Sequence, residues 1–344
     1  MSNTLAENHG LTLASRPGGT ASDVTLSPPV ALAPLAGITD LPFRSLVLSF
    51  GAGWVVSEMV ATGELLTNRP GTKEKTALGL GQSRTAVQLA GRDPRHMAEA
   101  ARMVADMGAA LIDINMGCPA KKVVGGMSGS ALLREPDLAL RLIEAVTGAV
   151  DVPVTLKTRL GWDGDCVNTP RVAARAADAG IRMLTLHGRT RQQFYTGRAD
   201  WAAIGRVRET LTIPVIANGD ILGPSEACEA LRQSGAAGVM VGRGAQGAPW
   251  IPAQIAHVLY GTPAPRVPQG AALVDMVTAH HDAMLSFYGT ALGLKVARKH
   301  LGWYMDRAGT PPDLRGAVLT AATPASVQAL LPEALLGHSL TRAA

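Results

Sequence analysis

The sequence predicts an eight-stranded (β/α)8 TIM barrel followed by a small C-terminal helical domain, and three observations predict it. Short apolar runs of strand length alternate eight times with Ala-rich helical stretches, a pattern that calls for parallel strands joined by helical crossovers. The strand entries repeat: "DMGAALIDINMG", "DAGIRMLTLHG" and "QSGAAGVMVGRG" each pass from a helix end through Gly into a strand, while "DVPVTLKTR" and "TIPVIANGD" each begin one with Pro-Val. The alternation stops near Tyr260 at the Pro- and Gly-rich "GTPAPRVPQG", and only helical patterns follow. An open doubly wound sheet competes with the barrel, because it is built from the same units.

The elements follow in order. Residues 1–27, rich in Gly, Ser, Thr and Asn, are expected to be a disordered leader; they lack the basic start and apolar block of a secretory signal. Residues 28–259 carry the barrel, with strands expected at Val30–Pro34, Trp54–Glu58, Thr85–Leu89, Leu111–Asn115, Val154–Thr158, Met183–His187, Val215–Asn218 and Gly238–Val241. Between them lie segments such as "PRHMAEAARMVADMG", with Pro in the first turn and Gly at the end, the start and stop signals of a helix. Residues 260–344 hold "AALVDMVTAHHDAMLSFYG", "ALGLKVARKHLGWYMDRAG" and "PASVQALLPEALL", all helical in period.

Composition bounds the function. With 344 residues, 47% of them hydrophobic, the chain has material for a large core. A net charge of +5 suits a polyanionic partner without requiring one. Cys118, Cys166 and Cys228 are far apart and show neither metal-ligand spacing nor a disulfide framework. No apolar stretch reaches membrane length. A reduced cytoplasmic setting, with no metal and no membrane, is therefore expected.

Strand side chains alternate faces. If the apolar faces meet the helices, Gln88, Asn115, Lys157, His187 and Asn218 all face the barrel axis near the carboxyl ends of their strands, where barrel enzymes keep their active sites. A lone Gln or Asn at a strand end is as often a turn former, and a lone His as often a satisfied core residue. Lys157 is different, since a lysine is almost never fully buried unless paired. The convergence of all five is what points to a polar ligand.

"GRGAQGAPW", Gly242 to Trp250, matches G-x-G-x-x-G, but it closes the alternation and no acidic residue follows about 20 positions on. It reads better as the phosphate site after strands seven and eight of a barrel, with Arg243 adding charge and "NGDI", Asn218–Ile221, as the companion loop. Lys157, Gln88 and a phosphate site together describe a flavin mononucleotide site: the lysine would stabilise the anionic reduced ring, and amide groups would read the pyrimidine edge. "INMGCPAKKVVGGMSGS" then sets a single thiol, Cys118, in a Gly-Cys-Pro turn directly after the fourth strand, followed by Lys121, Lys122 and a run of small residues.

"APLAGITDLPFR", "VQLAG", "DINMGCPAKKV", "LKTRLGW", "LHGRTRQQFYTGRADW", "PVIANGDI" and "VGRGAQGAPW" resemble, in order from Val30 to Leu259, the tRNA-dihydrouridine synthases, above all the bacterial B-type branch. "KVARKHLGWY" resembles that branch's helical domain. The resemblance implies an enzyme that binds FMN tightly, takes hydride transiently from NADPH and reduces uridine C5=C6 in the tRNA D-loop, with hydride passing from N5 to C6. Cys118 stands at the position of the cysteine that protonates C5; free thiols are mostly protonated at neutral pH, which suits a proton donor. Pro34, Leu35, Ala36, Gln88, Lys157, Asn218, Gly219, Asp220, Gly242 and Arg243 are implied to contact FMN, and His187 is counted with them. Asn115 is implied to lie between flavin and base. Lys121 and Lys122 would approach RNA phosphates, and Arg189, Arg191 and Arg198 are further candidates for tRNA contact. The tail, with Lys295, Arg298, Lys299, Arg307 and Arg315, is expected to clamp tRNA and to contribute nothing to flavin chemistry; a monomer is favoured. Three other classes stand beside this one: a flavin barrel acting on a free pyrimidine or an enone, a Schiff-base aldolase using Lys157, and a non-catalytic RNA-binding protein.

Overall fold

The computed structural model describes residues 10–336. Its first element is a hairpin of β1 (Leu11–Leu13) and β2 (Val24–Leu26), antiparallel with Leu11 opposite Leu26 and Leu13 opposite Val24. The barrel strands follow: β3 (Val30–Leu32), β4 (Trp54–Val56), β5 (Val60–Ala61), β6 (Thr85–Ala90), β7 (Leu111–Met116), β8 (Val154–Arg159), β9 (Met183–His187), β10 (Val215–Asn218) and β11 (Gly238–Val241). All pair in parallel, and β3 joins β4 on one side and β11 on the other, which closes the ring and excludes the open sheet. The second barrel strand comes in two pieces: β4 pairs with the start of β6 and β5 with its end, on either side of residues 57–59.

Alternation sorts the strand residues as expected. Val87, Leu89, Ile112, Ile114, Leu156, Leu184 and Leu186 face outward and share one core with helix residues such as Val104, Leu142, Ile143 and Ile204. Ala31, Trp54, Ala86, Leu111, Met183, Ile216 and Met240 form an apolar inner layer toward the start of the strands. The helices between strands follow local rules. Asp93 caps Pro94–Asp106 by accepting from the N–H groups of Arg95 and His96, and Pro94 occupies the first turn, where its missing N–H costs nothing.

The expectation of a disordered leader is corrected over the hairpin. Leu13, Val24 and Leu26 are buried against the apolar inner layer and seal that end of the barrel. Part of the composition that suggested disorder, the Gly and Ser of residues 14–23, is the hairpin loop, and it is pinned. The Arg16 N–H donates to the carbonyl of Asp151 (2.8 Å), and the Thr20 N–H donates to the Asp151 carboxylate (2.9 Å). A barrel end lined by Leu, Met and Trp must be covered or left facing water, and the four apolar residues flanking that loop provide the cover. Residues 1–9 and 337–344, parts of the expected leader and tail, lie outside the described residues.

After the irregular "GTPAPRVPQG", four helices, Ala271–Tyr288, Thr290–Ala308, Pro312–Thr320 and Pro324–Leu336, pack around a core of their own that includes Val277, Met284, Leu301, Met305, Val318, Val327 and Leu331. Among the described residues, no helix is long and apolar enough to cross a membrane.

Candidate active site

At the barrel end opposite the hairpin, the loops after the strands enclose a cavity of about 410 Å³. Its lining includes Cys118, Asn115 and every residue expected to contact the cofactor: Pro34, Leu35, Ala36, Gln88, Lys157, His187, Asn218, Gly219, Asp220, Gly242 and Arg243. Lys121, Arg189 and Arg191 are outside that lining.

Parallel register brings the polar strand-end groups together. Gln88 stands opposite Asp113, Asn115 opposite Lys157, and Asn218 opposite His187. Gln88 donates through Nε2 to Asp113 (2.7 Å) and accepts at Oε1 from Asn115 Nδ2 (2.6 Å). Thr155 donates to the other Asp113 oxygen (2.6 Å). Burial raises the Asp113 carboxyl above the ordinary carboxylate range, and these donors and Lys157 pull it back. The amide orientations are therefore fixed by a chain of partners before any ligand arrives.

A second chain is built on Asn218. Its Oδ1 accepts from Lys157 Nζ (3.2 Å) and faces His187 Nδ1 (3.0 Å), while its Nδ2 donates to the carbonyl of Met240 (2.8 Å). With Asn218 oriented that way, His187 carries its proton on Nδ1, and its Nε2 faces Arg189 Nη1 (3.4 Å). Burial, then the nearby Arg159 and Lys157 charges, hold His187 well below its ordinary range, so the ring is neutral. Burial and Arg159 likewise lower Lys157 to about 8, against the pull of Asp113 and Cys118. Its ammonium has three donors and, among the described residues, this one acceptor, which leaves capacity for a ligand.

The thiol loop is held from three sides. Asn115 Oδ1 accepts from the N–H groups of Gly117 (3.2 Å) and Cys118 (3.0 Å), an Asx-type turn at the strand end. The Cys118 carbonyl accepts from Ser130 through both N–H (3.1 Å) and Oγ (2.9 Å). Arg159 donates to the Gly117 carbonyl (2.8 Å) and, through Nη1, to the carbonyls of Thr190 and Phe194 (each 3.0 Å). Asn115 thus lines the cavity and also fixes the turn that carries the thiol. Cys118 is half-buried, and Lys121 and Lys122 are exposed on the short helix Lys121–Gly125 just beyond it.

Arg189 departs from its expected place at the RNA surface. Its side chain is 1% exposed, forms a two-pronged ion pair with Asp220, and donates to the carbonyls of Thr196 (3.0 Å) and Gly197 (2.7 Å). Strand alternation could not distinguish an arginine on the rim from one folded beneath the next loop. Asp220, which also accepts from the Ala199 N–H and Arg243, adopts a positive φ of 54°. Burial would raise its carboxyl, yet Arg189 and the Ala199 N–H bring it below the usual range. Arg191 lies over the Trp162 ring (4.7 Å), and Arg198 is exposed. The cavity also includes Met59, Arg159, Phe194, Tyr195 and Gln246, which the sequence reading missed. One was legible: Thr155, Lys157 and Arg159 share a face, and β8 runs one residue past its expected end.

A model of the family described as dihydrouridine synthase matches residues 31–338. The chain is 61% identical over 310 residues to a probable tRNA-dihydrouridine synthase of Rhodobacter capsulatus, covering 90% of this chain and 95% of the relative. It is 48% identical to tRNA-dihydrouridine synthase B of Xanthomonas campestris pv. campestris, covering 89% and 92%. Among solved structures, histamine dehydrogenase from Rhizobium sp. 4-9 shares the fold, with a TM-score of 0.56, 13% identity, and coverage of 81% of this chain and 51% of that one.

Proposed function

Because the chain belongs to the dihydrouridine synthase family, we propose that it reduces the C5=C6 bond of a uridine in the D-loop of tRNA, with FMN held in the barrel-end cavity and NADPH as the transient hydride donor. The observation that carries this reading is one cavity that joins a half-buried thiol, Cys118, to a buried ammonium, Lys157.

The residues present fit FMN. The cavity volume of about 410 Å³ falls within the 300–1,000 Å³ or so of small-molecule sites. Lys157 retains unused donors toward it. The two stretches expected to hold phosphate, Asn218–Ile221 and Gly242–Trp250, both reach its wall, the second through Gly242, Arg243 and Gln246, and Arg243 stands there half-exposed. Gln88 and Asn115 would meet the ring, and Lys157 would offer its charge to the cofactor's anionic edge.

The chemistry that FMN would supply here, once bound and reduced, is a hydride for C6 of the base. Cys118 supplies the proton at C5: the S–H bond breaks as the C5–H bond forms, and the resulting thiolate is reprotonated from solvent. One hydride and one proton saturate one double bond. Asn115, Ser130 and Arg159 hold the thiol's backbone still during that transfer. Lys157, at about 8, keeps most of its charge at neutral pH, whereas the neutral His187 adds no second cation beside it.

The test is spectroscopic. The purified protein is expected to be yellow or to take up FMN, to bleach with NADPH under anaerobic conditions, and to regain colour with unmodified tRNA in proportion to the dihydrouridine formed. A protein that takes up no FMN would overturn the reading.

A further inference from the structure

We propose that the helix Thr290–Ala308 is a structural part of the cofactor site, with Lys299 as a positioning residue, so that FMN binding and docking of the helical domain are one coupled equilibrium. The inference rests on the reading that the cavity holds FMN, and it replaces the expectation that the tail contributes nothing to the flavin.

Two loops border the cavity on the side of this helix. The loop after β3 supplies Pro34, Leu35, Ala36 and Ile38 to its wall, and the loop after β11 supplies Gly242, Arg243 and Gln246. Lys299 donates from Nζ to the carbonyl of Gly37 (2.7 Å). The Gly37 N–H donates to the Glu58 carboxylate. A cation from the helical domain and an anion from the segment between β4 and β5 therefore grip the same residue, whose φ of 68° leaves no comfortable room for a side chain. A Cβ at Gly37 would sit 2.7 Å from the Lys299 nitrogen. His300, fully buried, packs its ring 4.8 Å from Phe43, just beyond that loop.

The other loop is touched by backbone. Gly247, with φ 66°, approaches so closely that a Cβ there would lie 2.5 Å from the Trp303 carbonyl oxygen. Lys299 and Trp303 are four residues apart and so share a helix face. A single face of a single helix thus abuts both cofactor loops. If undocking that face loosens the loops that bind FMN, then FMN must in turn strengthen docking, because linked equilibria are reciprocal.

The experiment uses the full chain. FMN affinity of the apoprotein is measured by fluorescence quenching for wild type, Lys299→Met and Lys299→Arg, with thermal melts to establish folding. Loss of one charged hydrogen bond is expected to weaken FMN binding about tenfold in Lys299→Met, with most of the affinity recovered in Lys299→Arg. Independently of any variant, hydrogen exchange of wild type with and without FMN is expected to show slowed amides in residues 290–308 as well as in the two loops. Wild type that binds no FMN overturns the proposed function. Wild type that binds FMN while Lys299→Met keeps the same affinity and residues 290–308 gain no protection overturns this inference alone.

Discussion

Arg159 donates through Nε to the carbonyl oxygen of Gly117 at 2.8 Å, one residue before the thiol of Cys118. The same guanidinium reaches the carbonyls of Thr190 and Phe194, so it ties the thiol loop to the loop after β9. Arg159→Met removes that tie together with its three donated hydrogen bonds. Because Arg159 also lines the cavity and its charge lowers Lys157, flavin reduction by NADPH should shift modestly, while reoxidation by tRNA should slow by about tenfold to a hundredfold, the cost of losing a charged hydrogen bond at the reacting loop. Stopped-flow absorbance of the two half-reactions checks this; equal slowing of both would place Arg159 with the cofactor.

Cys118→Ala should separate the half-reactions more completely. FMN should still bind, and NADPH should still bleach it, because neither step needs the thiol. Single-turnover reoxidation by unmodified tRNA should fall by about 10²–10⁴, the usual contribution of a general acid. Cys118→Ser should also be impaired, since a hydroxyl is a much weaker acid than a thiol. Wild-type rates in both variants would make the cysteine structural.

Lys157→Ala should weaken FMN binding or slow flavin reduction, because the buried ammonium has Asn218 as its one hydrogen-bond acceptor among the described residues. Burial lowers this lysine to about 8. In wild type, its contribution should therefore be present below that pH and fade as pH rises through it. FMN titrations from neutral to alkaline pH would reveal the loss, and Lys157→Ala should show none of it.

The hairpin makes a prediction about stability. Leu13 and Leu26 are each 1% exposed against the barrel's inner layer. Leu13→Ala or Leu26→Ala should cost about 2–5 kcal/mol by lost transfer and a residual cavity. Because the hairpin seals the end opposite the cavity, FMN affinity should hardly change. Denaturant unfolding and FMN titration on the same samples separate the two effects.

The junction of barrel and helical domain should be acid-sensitive. Burial holds His280 well below its ordinary range and His300 at about 3; His300 and His281 add to the first effect and Lys299 to the second. Phe43, Tyr304 and Trp303 pack against these rings, and Arg44, Glu58 and Tyr288 surround the nearby Asp40. An unfolded chain takes up protons below about pH 6.5 that these folded histidines refuse, so stability should fall as pH drops from there toward 3. Asp40, raised to about 6 by burial, works the other way between about 4 and 6, since the folded state keeps its proton. His187 and His281 are lowered as well and Asp113 is raised as well, so four histidines stand against two carboxyls and leave a net loss on acidification. Melting temperatures between pH 7.5 and 5 should decline, and the decline should be shallower in His300→Gln; an equal decline would exclude His300 as its source.

The sequence by itself determined the barrel and which polar strand-end residues face its axis. Period-2 alternation assigns faces without tertiary information, so Gln88, Asn115, Lys157, His187 and Asn218 could be sent inward from spacing alone, and the Gly-rich loops mark where a backbone can be approached closely. What only the tertiary structure decided are relationships between segments distant in the chain. Arg189 looked like a surface cation until Asp220, 31 residues on, folded against it. The leader looked disordered because its loop composition concealed four apolar residues that acquire partners only when the barrel end forms. Lys299 looked like one more phosphate contact, and its partner, the carbonyl of Gly37, is 262 residues away. Local pattern reports which face a residue takes; the partner on that face is set by packing, and charge is where the two diverge most, since a buried cation must find an acceptor that no spacing rule names.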